Sequence, residues 1–446
     1  MFSRFVAAVL NARLPIVALM LLLAGLGVRA WQALPIDAFP DVSSTQVKVI
    51  LKSPGMTPQE IETRVVAPIE IELLSIPDKR VVRSVSKYAI ADITVDFVDG
   101  TDVYWARQQV TERLNGVIKD LPAGTDGGLA PITTPLGELF MFTIDNDALT
   151  LEQKRTLLDW TIRPALRVLP GVADVNTLGG HARAFEIVPD DAALHARGLG
   201  VGDLRAAIGR NNRNDGAGRL IEGGETLLVR TEGAVRDAAD LGAVVVRGGR
   251  DGPVRIANVA QVRLGSLTRY GAVTRDGHGE AVQGIVLGLR GADAGALVER
   301  VAARLADLEK TLPEGTRLSV FYDRGQLVGR AVGTVTQALL EAVGLVIVLL
   351  VLMLGDWRAG IVVAATLPLF GLATLLAMRG FGLSANLMSL GGLAIAIGML
   401  VDAAVVVVEN VVTRLAADGS HAGASGRSTI VARAVAEGGL PVGAGV

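Results

Sequence analysis

Two kinds of hydrophobic pattern divide the chain. From Thr45 to about Asp323, apolar residues recur every second or every third to fourth position, as in strands and helices that bury one face. Asn11 to Val28 and Ala331 to Val412 are instead almost bare of charge. In the first of these stretches LPIVALMLLLAGLGV lies between Arg13 and Arg29, and it reaches spanning length with Asn11, Ala12, Ala30 and Trp31 included. The basic start and Val28-Arg29-Ala30 also fit a cleavable signal peptide, but a transmembrane helix is the preferred reading because the chain returns to the membrane later. Three more apolar segments follow: 331–355 with Glu341 as its only charge, 359–378 with none, and 387–412 with only Asp402 and Glu409. Each has the ~20 residues needed to cross ~30 Å of hydrocarbon. Their connectors, Asp356-Trp357-Arg358 and Arg379 to Asn386, are too short to hold a domain, so neighbouring helices run antiparallel.

The polar-rich middle alternates between strand and helix periods. Thr45 to Leu51 reads as a strand, and Thr57-Pro-Gln-Glu60 as a capping box with Pro at the first helical position, opening a helix to about Leu74. Val81 to Ser86 and Ile90 to Val98 read as strands and Val103 to Leu121 as a helix, giving the β-α-β-β-α core of a split β-α-β unit. A second unit starts at Glu138 to Ile144, with a helix from Leu151 to Val168 and strands at Val172 to Leu178 and Ala182 to Val188. It is interrupted by a Gly, Asn and Asp-rich stretch from Asn211 to Gly218 and a strand-rich block to about Val262, within which Val244 to Ile256 has hairpin turn chemistry. Strand, helix and strand resume at Ala281 to Leu289, Ala294 to Leu312 and Arg317 to Tyr322. The Gly-rich run from Gly198 to Asp203 lacks the Lys-Ser/Thr of a phosphate loop and reads as the loop before a helix starting near Asp203. After the last apolar segment, Ser428 to Glu437 has amphipathic spacing.

Composition narrows the function. With 50% hydrophobic residues and a mean hydropathy of +0.44, a purely soluble protein is excluded. Forty-three Lys plus Arg against 45 Asp plus Glu leave a formal charge of -2 and no polyanion-binding surface, so nucleic acid is not an expected partner. The absence of Cys removes disulfides, thiolate metal sites and cysteine nucleophiles. His181, His195, His278 and His421 are scattered without ligand spacing and read as surface or turn residues. No Ser/His/Asp arrangement or nucleophile elbow stands out, and the chain is not expected to be an enzyme. Arg4, Arg13, Arg358, Arg414, Arg427 and Arg433 fall on one side of the segments and Arg379 on the other, which places the N-terminus in the cytoplasm and exports the middle region.

The sharpest chemistry is Asp402 and Glu409 in the last apolar segment. Seven residues at 100° each return within ~20° of two full turns, so the two carboxylates share one helix face about 10 Å apart. An ionised carboxylate there costs at least ~2.5 kcal/mol, so the pair requires partners, water or reversible protonation, which is the equipment of proton-coupled transport. Glu409 can also snorkel to the interface. Glu341 is a candidate gating or relay carboxylate, or an interfacial one. Met388 and Met399 are soft-cation candidates set against ordinary packing.

The stretch Gly391 to Asn410, preceded by Ser384 to Leu390, resembles the fourth helix of heavy-metal efflux pumps of the resistance-nodulation-division superfamily, the CusA/CzcA type. Leu34 to Asp41, Asp99 to Arg107, Leu121 to Gly124, Leu169 to Val175, Tyr322-Asp-Arg324 and Leu340-Glu-Ala342 match in order. The resemblance implies the N-terminal half of a polytopic α-helical inner-membrane protein with a large periplasmic α+β region. It implies a homotrimer working with a periplasmic adaptor and an outer-membrane channel, using proton influx to export metal cations of the copper/silver or zinc/cobalt/nickel/cadmium class, with no bound cofactor. Asp402 then belongs to the proton relay, Glu409 sits in the same motif, and Met388 falls where the copper and silver branch has a relay methionine. Two departures stand out: Ala396-Ile-Gly398 replaces the Asp-Phe-Gly of divalent-cation members, and Leu400 replaces a second methionine. The family's principal metal-binding cleft lies in a second half that these residues do not match.

The implied organisation is 1–32 for the cytoplasmic N-terminus and first transmembrane helix, 33–133 for a first porter subdomain, and 134–210 with 263–330 for a second one. A docking lobe at 211–262 interrupts the second subdomain. Transmembrane helices at 331–355, 359–378 and 387–412 follow, and 413–446 holds a cytoplasmic amphipathic helix and the start of a fifth span. The rival expectations are a superfamily pump for organic compounds and a membrane-anchored periplasmic ligand-binding or sensory protein.

Overall fold

The computed structural model of the protein describes residues 8–9, 12–34, 37, 43–249, 252–354, 357–418 and 424–445. Helix α1 (Arg13–Ala33) precedes a first sheet built from β1 (Gln46–Lys52), β2 (Lys79–Lys87), β3 (Ile90–Phe97) and β4 (Asp126–Leu129), in the order β2-β3-β1-β4 with every pair antiparallel. Val47, Val49 and Leu51 alternate inward and meet Ile93, Val95 and Phe97. That face is covered by α2 (Val103–Val117), through Ala106, Val110 and Leu114, and by the helix that opens after Thr57. The expected capping box is present: Thr57 N–H donates to Glu60 Oε2 at 2.8 Å and Pro58 occupies the first turn.

This helix passes through a π-helical turn, Glu62–Val66, before Pro68. Pro has no N–H to return to the carbonyl four residues earlier and its ring crowds that carbonyl, and a widened turn relieves both. The same device recurs where Leu158–Ile162 widens the helix opened by the Thr150–Gln153 capping box just before Pro164. Strand β4 escaped the hydrophobic pattern because Asp126-Gly-Gly-Leu129 has little β-forming character. Its pairing explains the glycine: Gly127 has φ +133°, and a Cβ there would sit 2.3 Å from the Ile50 carbonyl oxygen.

The second sheet contains β5 (Glu138–Asp145) and β6 (Val172–Gly179), but β7 (Arg183–Pro189) leaves it. Gly179 and Gly180 both adopt positive φ, at +72° and +66°, and turn the chain away. The insertion holds α3 (Val201–Asn211), the hairpin β8 (Asp215–Glu222) and β9 (Glu225–Thr231), and the small hairpin β10 (Val245–Arg247) and β11 (Val254–Arg255). Gly200 N–H donates to Asp203 at 2.8 Å, so the Gly-rich run is the loop that caps α3, which begins at Val201. β7 finds its partner in β12 (Ala260–Ser266), antiparallel over seven residue pairs.

The sheet resumes with β13 (Val273–Arg275), β14 (His278–Gly288), α4 (Ala294–Glu309) and β15 (Arg317–Asp323). β14 lies between β5 and β6, and β15 pairs with the other edge of β5. Phe140, Phe142, Leu158, Val286, Leu297 and Val301 are among its core residues. On the far face Asp145 accepts from Arg275 and from the Ser319 hydroxyl, both at 2.5 Å, joining β5, β13 and β15.

Four helices close the chain: α5 (Arg324–Leu354), α6 (Trp357–Gly380), α7 (Leu387–Asp418) and α8 (Ala424–Gly445). α5 starts at Arg324, a helical turn and more before the apolar run, because it continues directly from β15. Among the described residues, Arg13–Ala33, Gly360–Gly380 and Leu387–Ala417 are long and apolar enough to cross a membrane. α1 packs on α6, and α7 packs on α5, α6 and α8. Gly27 is the closest approach of α1 to α6; a Cβ there would lie 2.5 Å from Leu372 Cβ. The amphipathic Ser428 to Glu437 lies within α8, which continues through Gly438-Gly-Leu-Pro441.

Candidate functional site

Helix α7 carries four of the five candidate residues, Met388, Met399, Asp402 and Glu409, and its start is built to hold. Asn386 is buried, and its Oδ1 accepts the backbone N–H groups of Met388 and Ser389, both at 3.0 Å. Ser389 Oγ accepts from the Asn386 N–H at 2.9 Å, completing a reciprocal cap for donors that a helix N-terminus leaves without partners. Met388 sits in this first turn with its side chain exposed. Leu390, Leu393 and Ile397 point inward onto Leu367 of α6, joined by Trp31, Val332 and Val405.

Asp402 and Glu409 follow on the same unbroken helix, so the seven-residue spacing keeps both on one face. The side chain of Asp402 lies outside the described residues. Glu409 is exposed, while its neighbour Asn410 turns to α8 and donates from Nδ2 to the Ala434 carbonyl at 2.8 Å. One turn on, Arg414 pairs with Glu437 at 2.8 Å. Gly438 faces this contact, with Asn410 Nδ2 in ordinary van der Waals reach of its Cβ position.

Glu341 lies on α5, exposed, and accepts from Gln337 Nε2 at 2.9 Å. The fold therefore places four candidates along one helix, Met399 among them with an exposed side chain, and the fifth on a helix packed beside it. Among the described residues no group of three or more His, Cys, Asp or Glu side chains could hold a metal ion. His195 and His278 are exposed and His181 half-buried, in separate elements, and His421 lies outside the described residues.

Pattern reading missed the polar groups that fix these helices. Asn386, Asn410 and Arg324 are polar residues at or near the edges of apolar runs, and that placement was the available signal. A cavity of about 620 Å³ opens where the tips of α6 and α7 meet the second sheet, lined by Asp37, Arg290, Ser384, Asn386 and Ser389 among others.

Apolar helices bearing isolated carboxylates, joined to two α+β units, invite comparison with known proteins. The family model described as the AcrB/AcrD/AcrF family matches residues 5–441. The chain belongs to this family. It is 42% identical over 403 residues to Protein HelA of Legionella pneumophila, covering 89% of this chain and 38% of that protein. It is 39% identical over 432 residues to the cobalt-zinc-cadmium resistance protein CzcA of Cupriavidus metallidurans, covering 95% of this chain and 40% of that protein. A crystal structure titled as a heavy metal efflux pump superposes with a TM-score of 0.84 at 32% identity, over 98% of this chain and 42% of that one.

The resemblance to the N-terminal half of heavy-metal efflux pumps of the resistance-nodulation-division superfamily thus holds across the chain, and its relatives are transporters rather than enzymes. The fold is that of a membrane protein with a large sheet-rich region outside the spans. The chain spans about two-fifths of the length of the curated relatives it matches.

Proposed function

We propose that this chain works as the N-terminal half of a proton-driven exporter of heavy-metal cations, with Asp402 and Glu409 carrying protons. The observation that carries the reading is the single uninterrupted helix Leu387–Asp418, which holds both carboxylates at a two-turn spacing inside an otherwise apolar span. Hydrocarbon disfavours their ionised forms, so proton binding at this helix is coupled to its surroundings rather than indifferent to them. Glu341, held by Gln337 on the neighbouring helix, serves as a gating or relay carboxylate. Met388 supplies a thioether for a soft cation at the mouth of α7. The cargo is a metal cation of the copper/silver or zinc/cobalt/nickel/cadmium class; the similar CzcA is a cobalt-zinc-cadmium resistance protein.

In this reading the protein is a multi-pass protein of the bacterial inner membrane with its N-terminus in the cytoplasm. The first sheet unit is the first porter subdomain, the second sheet with its helices is the second, and residues 211–262 form the docking lobe. The assembly is a homotrimer joined to a periplasmic adaptor and an outer-membrane channel. The β8–β9 hairpin supports association: an isolated two-stranded hairpin is marginal in water, and this one leaves Ile221 71% and Leu228 85% exposed.

The test is survival of cells expressing the full-length protein under graded metal, with and without Asp402→Asn. We expect the parent to raise tolerance to metals of one class and Asp402→Asn to abolish the gain at equal protein levels. Equal tolerance from both would sink the relay assignment. A gain confined to dyes or detergents would favour export of organic compounds, and no gain of any kind would favour a sensory role.

A further inference from the structure

The joint between the helices and the second sheet is closed by two residues 287 positions apart. Arg324, the first residue of α5, has a side chain only 5% exposed. Its Nε and Nη2 donate to Asp37 Oδ1 at 3.1 and 2.8 Å, and its Nη1 donates to the carbonyl of Leu136, just ahead of β5. Asp37 in turn donates its backbone N–H to the carbonyl of Ala385 at 3.0 Å. Ala385 is fully buried and immediately precedes the Asn386 cap of α7. Leu34, Leu375, Met378 and Ala385 form an apolar floor beneath these polar contacts.

The result is an unbroken series of short directional contacts. It runs from the cap of α7 through Asp37 and Arg324 to β5, and through the peptide chain from Arg324 to β15. Hydrogen bonds of this kind weaken steeply when stretched by more than a few tenths of an ångström. Breaking this one would leave the buried guanidinium of Arg324 without its carboxylate, which is strongly unfavourable. A displacement of the α7 N-terminus therefore costs less if Leu136 and Asp323 move with it than if the pair opens.

We propose that the Asp37–Arg324 pair is a positioning element that carries displacement of α7 to strands β5 and β15, linking the proton-carrying helix to the sheet region. The proposal rests on the reading of Asp402 as a proton carrier. Covalent linkers alone would join the same parts. The pair, with its guanidinium buried and its carboxylate half-buried, adds a directional contact between segments that the chain does not connect directly.

The test uses the whole chain in lipid nanodiscs and amide hydrogen exchange, with Asp402→Asn as a fixed stand-in for the protonated state. In the otherwise unaltered protein, Asp402→Asn should change exchange within α7 and, by about threefold, in peptides covering 134–141 and 318–325. Arg324→Met alone strands the Asp37 carboxylate and risks unfolding. The informative background is therefore Asp37→Asn with Arg324→Met, which removes both charges and every donor of the guanidinium, its fold checked by thermal unfolding. In that background the change within α7 should persist and the change in the two sheet peptides should vanish. An undiminished change in the sheet peptides overturns the proposal. A parent in which Asp402→Asn alters α7 but never the sheet also overturns it while leaving the relay reading standing. No change even within α7 removes the relay reading and this proposal together.

Discussion

The side-chain amide of Asn410 donates to the backbone carbonyl of Ala434 at 2.8 Å, fastening α7 to α8 one residue beyond Glu409. Where the end of the apolar helix meets the amphipathic α8, such a bond competes with water and with the partners that unfolded helices find, so its net worth is modest. Asn410→Ala should lower stability by about 0.6–2 kcal/mol, read as a fall in the thermal midpoint in detergent. Asn410→Gln, which can still reach a carbonyl, should recover part of the loss.

Gly27 and Leu372 set the spacing of α1 and α6. An added methyl at Gly27 would lie 2.5 Å from Leu372 Cβ and 2.9 Å from the Leu372 carbonyl oxygen, and neither can yield without moving a helix. Gly27→Leu should cost about 1–3 kcal/mol or more and separate α1 from α6. The check is a pair of cysteines placed on facing turns, in a chain that has none of its own: their cross-linking should fall sharply in the variant.

Asp145 ties the sheet edge through charge. Burial alone would raise its carboxyl, but the Arg275 guanidinium and the Ser319 hydroxyl outweigh that and hold it below the usual carboxylate range. Because the folded value is depressed, the stabilisation is complete above the unfolded pKa of about 4 and disappears as pH falls through the lower folded value. Both side chains are partly exposed, at 41% and 38%, so solvent screening limits the contribution to about 0.2–1 kcal/mol. Asp145→Asn should lower the thermal midpoint slightly at pH 7 and flatten its decline on acidification; a parallel decline would remove this pair from the acid response.

The hairpin β8–β9 offers a contrasting case. Ile221 and Leu228 are exposed on the paired strands of the hairpin and belong to none of the buried clusters of the described residues. Ile221→Asp with Leu228→Asp should leave the unfolding midpoint within about 0.5 kcal/mol of the parent. If this arm joins copies of the chain, the same change should shift the protein to smaller assemblies in size-exclusion chromatography with light scattering; an unchanged mass would exclude the arm from the contact.

Much of the architecture was legible in the pattern of residues. The capping box at Thr57–Glu60, the alternation of Val47, Val49 and Leu51, and the bare apolar runs are local signals, and each formed the element its period demands. The carboxylates Asp402 and Glu409 were legible for the same reason, since a charge in an apolar helix is conspicuous without any partner in view. What stayed hidden were relationships between distant segments. β4 is a strand because β1 offers it a hydrogen-bonding edge that only glycine can approach so closely, and β7 leaves its unit because two glycines turn it toward β12. Asp37 and Arg324 were visible as residues but not as a pair. By itself the sequence determined most of the elements, the long apolar helices and which of them holds Asp402 and Glu409, because periodicity and desolvation cost act within a few turns of chain. The tertiary structure alone decided which strand edges meet, where helices touch and which buried charges find each other, because those energies exist only once remote segments share the same space.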